Sequence, residues 1–173
     1  MSLFTKDEMY WTVGDHKALL SYVQKYKPKT VLEFGPGGST YAYLESGVES
    51  IDTCEDNLKY LESARIRFRD YPHVSVYHYT YPHPMAQQII SVRDCDSRYY
   101  DMAFIDGPHT VEDRDLTVVY ALRHAKVVIV PGEGRPHFRV MVDRLAEILD
   151  REIVWAETCP YTCHMAEITC KTS

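Results

Sequence analysis

The feature that most restricts how this chain can fold is a series of short, strongly apolar runs at residues 30–34, 50–55, 74–79, 101–106 and 126–130. Each is five or six residues long, the length and composition of parallel strands buried on both faces. Between them the apolar residues recur at helical spacing. Ala18, Leu19, Tyr22, Val23 and Tyr26 mark a helix over 15–26 that Pro28 stops, and Ser39 and Thr40 open another over 39–47. Leu58, Leu61, Ile66 and Phe68 line a helix within 56–70, a further helix spans 111–123, and Val142, Leu145, Ile148 and Leu149 line one over 138–150. Residues 80–98, with Pro82 and Pro84, are the least patterned part and read as a long connection with room for one short helix.

Strands alternating with helices predict an α/β, doubly wound, mostly parallel sheet. The chain ends differently. Its last two strands, 152–157 and 165–169, are about seven residues apart, too few for the dozen or more of a parallel crossover, so they should pair antiparallel. At 173 residues, with no internal repeat or linker, one domain over 1–173 is expected.

Composition excludes several classes of partner. A net charge of −6 opposes a phosphate-neutralising surface, so no nucleic-acid partner is expected. No apolar run approaches the roughly 20 residues that span a bilayer, and residues 1–8 lack the basic-then-apolar order of a signal peptide. Five cysteines, an odd number, suit reduced thiols better than a disulfide framework. A cytoplasmic protein without a membrane partner is expected.

The strongest chemical signal is the turn Gly35-Pro36-Gly37-Gly38 between the first strand and the following helix. Glycines let the backbone turn tightly and approach a ligand, and a helix N-terminus presents unpaired N–H groups. Glu55, twenty residues after Gly35 at the end of the second strand, is placed to accept both hydroxyls of a ribose. Dinucleotides and S-adenosylmethionine both use such an arrangement. The dinucleotide pattern G-x-G-x-x-G needs glycine at position 40, where Thr40 stands. Glu33, two residues before the turn, suits a cationic sulfonium ligand better than a pyrophosphate.

Taken together, Glu33-Phe34-Gly35-Pro36-Gly37-Gly38 resembles the first motif of the class I S-adenosylmethionine-dependent methyltransferases, and the resemblance extends over nearly the whole chain. It implies a seven-stranded Rossmann-like sheet of order 3-2-1-4-5-7-6 with an antiparallel C-terminal strand. It also implies S-adenosylmethionine as cofactor, with S-adenosylhomocysteine as product. Glu33, Gly35, Pro36, Gly37, Ser39 and Thr40 would cradle its methionine portion, Glu55 its ribose, and Asp56 and Asn57 its adenosine. Ile105-Asp106-Gly107-Pro108-His109 is similar to the fourth-strand motif of a subgroup related to small-molecule O-methyltransferases. Asp106 then faces the cofactor, and Asp106 and His109 are the expected catalytic pair, His109 as general base toward a hydroxyl or amine.

Two departures from the family pattern matter. The cation-binding relatives carry an Asp-Asn pair after the fifth strand, where this chain has Pro131-Gly132-Glu133-Gly134, so no metal is expected. The acid that often holds the adenine amino group is replaced by Tyr77-His78-Tyr79-Thr80-Tyr81, which points to stacking instead.

Plainer readings stand beside these. Asp106 also suits a helix cap, and His109 an ordinary surface histidine. Cys159, Cys163, His164 and Cys170 have unconvincing spacing for zinc. The tyrosines 77, 79, 81, 99 and 100 suit strand packing better than a substrate box, and Glu133 and Arg135 suit a solvated loop. Two other functions remain: an NAD-type nucleotide-binding oxidoreductase, and a non-catalytic S-adenosylmethionine-binding domain. Substrate walls are expected from Tyr10 and Trp11, from residues 80–98 and from residues 131–137. A second copy of the chain, as a homodimer, is one source of the missing wall.

Overall fold

The computed structural model describes residues 13–79, 98–108, 111–131, 136–156 and 165–171. Helix α1 (Val13–Tyr26) leads into β1 (Thr30–Phe34) through Lys27, at φ 46°, and Pro28, which cannot continue a helix. Then follow α2 (Gly38–Glu45), β2 (Ser50–Glu55), α3 (Leu58–Phe68) and β3 (Val74–His78). The second half comprises β4 (Tyr100–Ile105), α4 (Val111–His124), β5 (Ala125–Pro131), α5 (Pro136–Ile148), β6 (Arg151–Ala156) and β7 (Met165–Cys170).

Where these bounds depart from the sequence expectation, capping chemistry accounts for it. α3 begins at Leu58 rather than 56 because Asn57 is its cap, its side chain accepting the Lys59 N–H at 3.0 Å. α2 stops at Glu45 because Ser46 closes the last turn and Gly47 takes φ 75°. α5 opens two residues early on Pro136, since proline lacks only an N–H that a first-turn residue leaves unpaired anyway.

The seven strands form one sheet in the order β3-β2-β1-β4-β5-β7-β6. β3, β2, β1, β4 and β5 are parallel, whereas β7 runs antiparallel to both β5 and β6. The order reverses between β1 and β4, so a crevice opens at their C-terminal ends, where open α/β sheets bind ligands.

Side-chain alternation along the strands divides the core in two. Val31, Ile51, Met102 and Phe104 pack with Leu19, Tyr22 and Val23 of α1 and Ala42 and Tyr43 of α2. On the opposite face Leu32, Phe34, Ala103 and Ile105 pack with Val118, Ala121 and Leu122 of α4 and Phe138, Val142 and Ala146 of α5. Full burial of each Leu, Ile, Val, Met or Phe side chain contributes roughly 1.5–3 kcal/mol, so the sheet is fixed from both sides. A polar tie lies within it: buried Asp52 accepts from the Tyr100 hydroxyl at 2.7 Å and the Arg98 guanidinium at 2.5 Å. Among the described residues no helix is long and apolar enough to cross a membrane.

Candidate functional site

β1 and β4 end in two loops whose backbones touch. Gly35 takes φ 92°, a conformation that disfavours any side chain, and its N–H donates to the Cys54 carbonyl at 2.9 Å. A Cβ on Gly35 would lie 3.2 Å from both the Asp106 carbonyl carbon and the Gly107 nitrogen. A Cβ on Gly107 would lie 3.1 Å from the Gly35 nitrogen. The Asp106 N–H donates to the Phe34 carbonyl at 2.9 Å, which sets the distance between the two loops. A side chain at either position would press on backbone tighter than most Cβ contacts, and at Gly35 the positive φ adds strain. Gly37 differs, because among the described residues a Cβ there would meet no atom within 4 Å.

Behind the turn stands Glu33, fully buried on the face of α1 and α2. Its carboxylate accepts hydrogen bonds from the Ser39 hydroxyl and, at 2.6 Å, from the Thr40 hydroxyl. Thr40 Oγ1 in turn accepts the Gly37 N–H at 3.1 Å. The acid therefore reaches the turn through hydroxyls, a role that charge complementarity with a ligand did not anticipate. Burial pushes its carboxyl up to about 7, and the two hydroxyls partly oppose that rise. The hydroxyl of Tyr43 is buried in the same region, and burial, with the Glu33 and Asp106 charges, drives its pKa well above the usual phenol value.

Glu55 ends β2 on the same sheet face as Glu33, one pleat further toward the crevice. It is largely buried, and its Oε1 accepts the Asn57 N–H at 2.9 Å. Burial raises its pKa to about 7, with the like charge of Asp56 adding to the rise. Asp56 is half-buried and Asn57 exposed, the latter engaged as the α3 cap. Tyr79, just after β3, packs edge-on against Phe34 with ring centres 5.2 Å apart. Tyr79 and Tyr100 are core residues, and Tyr99 is exposed.

Asp106 follows β4 level with the glycine turn, its side chain partly exposed. The structure thus brings Glu33, Gly35, Pro36, Gly37, Ser39, Thr40, Glu55, Asp56, Asn57 and Asp106 to one end of the sheet. His109 lies outside the described residues, as do Tyr10, Trp11, Tyr81, Glu133, Arg135, Cys159, Cys163 and His164. Cys170 is exposed, with the Arg151 guanidinium donating to its Sγ at 2.7 Å. Among the described residues no three His, Cys, Asp or Glu side chains converge as a metal would require.

Sequence reasoning missed two residues, Arg114 and Thr117 of α4. Arg114 is buried, its Nε donating to the Pro108 carbonyl at 2.6 Å and its Nη2 to the Asp106 carbonyl at 3.1 Å. Thr117 Oγ1 donates to the Gly107 carbonyl at 3.1 Å. The signal was present, since Arg114 shares the helical phase of Thr117, Val118 and Ala121 and so sits on a core-facing stripe. A cavity of about 700 Å³ between α1 and the α2–β2 loop lies at the other end of the strands, lined by residues such as Leu20, Lys27 and Glu49. It shares none of these groups.

No family model and no curated protein matches the sequence. Solved structures do match by shape. A precorrin-6y C5,15-methyltransferase from Geobacter metallireducens superposes with a TM-score of 0.68 at 14% identity, covering 95% of this chain and 92% of that one. An O-methyltransferase from Bacillus cereus, solved in complex with S-adenosylhomocysteine, gives 0.67 at 17% identity, covering 93% and 82%. The O-methyltransferase TomG from Streptomyces achromogenes, solved with S-adenosylmethionine, gives 0.66 at 17% identity, covering 94% and 82%. The chain has the fold of the class I S-adenosylmethionine-dependent methyltransferases. Within that Rossmann-like methyltransferase fold, the glycine turn and Glu55 occupy the strand ends at the switch point.

Proposed function

We propose that this chain is an S-adenosylmethionine-dependent methyltransferase acting on a small-molecule hydroxyl or amine. The observation that carries the reading is the open side of the turn at Gly37, where backbone is bare for close approach, with the Glu55 carboxylate at the end of the adjacent strand. With the Ser39 and Thr40 hydroxyls turned to Glu33, α2 offers the crevice its first-turn N–H groups, which no helix carbonyl can pair. Gly35, Pro36 and Gly37 would hold the methionine portion of the cofactor, Glu55 the ribose, and Asp56 and Asn57 the adenosine. Glu33 would act by fixing Ser39 and Thr40 and by placing a negative charge beneath a cationic ligand. When bound, S-adenosylmethionine supplies an already activated methyl group, so in-line positioning of the acceptor can provide much of the rate. Asp106 would orient the acceptor or cofactor at the crevice floor, and His109 would take the acceptor's proton at its ring nitrogen. The net charge of −6 favours a small acceptor over a polyanion.

Calorimetric titration with S-adenosylmethionine, S-adenosylhomocysteine and NAD tests the cofactor. Micromolar binding of the first two with no NAD binding is expected, and tighter NAD binding would falsify the proposal. Release of S-adenosylhomocysteine on screening small hydroxyl- and amine-bearing acceptors tests the activity. With an acceptor in hand, His109→Ala and Asp106→Ala should each lower kcat at least a hundredfold. Full activity in both variants would remove them from the catalytic step.

A further inference from the structure

The buried face of α4 carries Thr117, Val118, Ala121 and Leu122, and one turn earlier the same face carries Arg114, only 3% exposed. A guanidinium removed from water loses its hydration and is retained only where hydrogen bonds replace it. A helix that merely covered the sheet would bury an aliphatic residue there. Arg114 instead reaches back toward the helix N-terminus, the direction in which helical side chains lean. There Nε meets the Pro108 carbonyl at 2.6 Å and Nη2 meets the Asp106 carbonyl at 3.1 Å, with Asp106 Oδ1 3.8 Å away. The Thr117 hydroxyl lies 3.1 Å from the intervening Gly107 carbonyl and 2.9 Å from the Arg114 carbonyl of its own helix, so its one proton is shared between loop and helix. Three successive carbonyls of the β4–α4 loop are thereby held by one helix.

That loop is the surface on which Gly35 rests, and a Cβ from either side would lie only 3.1–3.2 Å from the backbone of the other. Its position sets that of the glycine turn. We infer that Arg114 is a positioning residue for the crevice, fixing the β4–α4 loop and, through the contact of Gly107 with Gly35, the turn that receives the cofactor. The inference rests on the cofactor reading above. The fork geometry is essential, because two carbonyls at different angles need the divergent N–H groups of a guanidinium, whereas an ammonium is a compact point charge.

The test compares Arg114→Met, Arg114→Lys and Thr117→Val with Leu122→Ala, which weakens the same helix about three turns from the loop. Titration with S-adenosylhomocysteine is paired with hydrogen exchange over residues 104–108 and with thermal melting. For Arg114→Met the affinity should fall at least tenfold and loop exchange should accelerate at least tenfold. Arg114→Lys should recover part of both, and Thr117→Val should lose about threefold. Leu122→Ala should lower the melting temperature yet keep affinity within twofold. Should Arg114→Met not fold, Arg114→Lys and Thr117→Val carry the comparison. Wild-type affinity and loop exchange in the folded Arg114 variants, or an equal affinity loss in Leu122→Ala, would overturn the inference. If the wild-type protein itself binds no S-adenosylhomocysteine, the cofactor reading fails. Loop exchange then decides the clamp alone: acceleration in Arg114→Met but not in Leu122→Ala sustains it, and equal exchange overturns it.

Discussion

Gly35 and Gly37 stand two residues apart in one turn and meet opposite surroundings. Gly35 is pressed against the backbone of Asp106 and Gly107 at φ 92°, whereas no atom of the described residues comes within 4 Å of a Cβ on Gly37. The same residue type serves packing in one place and access in the other. A glycine-rich motif is therefore two statements, one about how the protein closes on itself and one about what it leaves uncovered. The distinction separates residues whose loss unfolds the site from residues whose loss only blocks it.

Substitution can break the comparison. Gly35→Ala combines a disfavoured φ with backbone contacts that cannot give way, and should destabilise the protein by about 2–4 kcal/mol in urea unfolding. Gly107→Ala meets the close contact without a strained φ and should cost less, and the double variant should cost less than the two combined, because both act on one contact. A Gly35→Ala protein of wild-type stability would contradict the packing role. Next in size is the acid behind the turn. Glu33 is held at about 7, above the usual carboxylate range, so the unfolded chain releases its proton first as pH rises. Wild-type stability should accordingly fall by on the order of 3 kcal/mol between pH 4.5 and 7.5 from this group. Glu33→Gln should flatten that slope in melts across the range, and an unchanged slope would show that burial of Glu33 is not its source.

Gly37→Ala should leave the melting temperature within about 2 °C and weaken S-adenosylhomocysteine binding at least tenfold, or about 1.4 kcal/mol. Weak binding accompanied by a large stability loss would erase the contrast with Gly35. The smallest effect is expected for Asn57→Ala, which removes the α3 cap at about 1 kcal/mol. Because Asn57 is also proposed to lie along the adenosine, S-adenosylhomocysteine affinity should fall severalfold in the same variant, and unchanged affinity would leave Asn57 as the helix cap alone.

The strands were legible as short runs bounded by helical periodicity, the antiparallel end followed from the short spacing before β7, and the order of the sheet came only from the resemblance of the glycine motif. The place of Glu55 at the end of β2 was legible from the strand pattern. The direction in which Glu33 works was not, since charge alone suggested a ligand. Strand alternation, which puts Glu33 with Val31 on the α1 and α2 face, would have shown it turned inward. Arg114 was not singled out, although its helical phase is that of the core. The contact of Gly35 with Gly107 joins residues 72 positions apart, and no local pattern encodes it.

That contact also has a bearing on inheritance. A Cβ at either glycine presses on the backbone of the other, so a replacement at one is not relieved by a replacement at its partner. The turn and the β4 loop are then expected to pass through divergence as one linked unit, while Gly37, free of any such bond to another part of the chain, answers only to what enters the crevice.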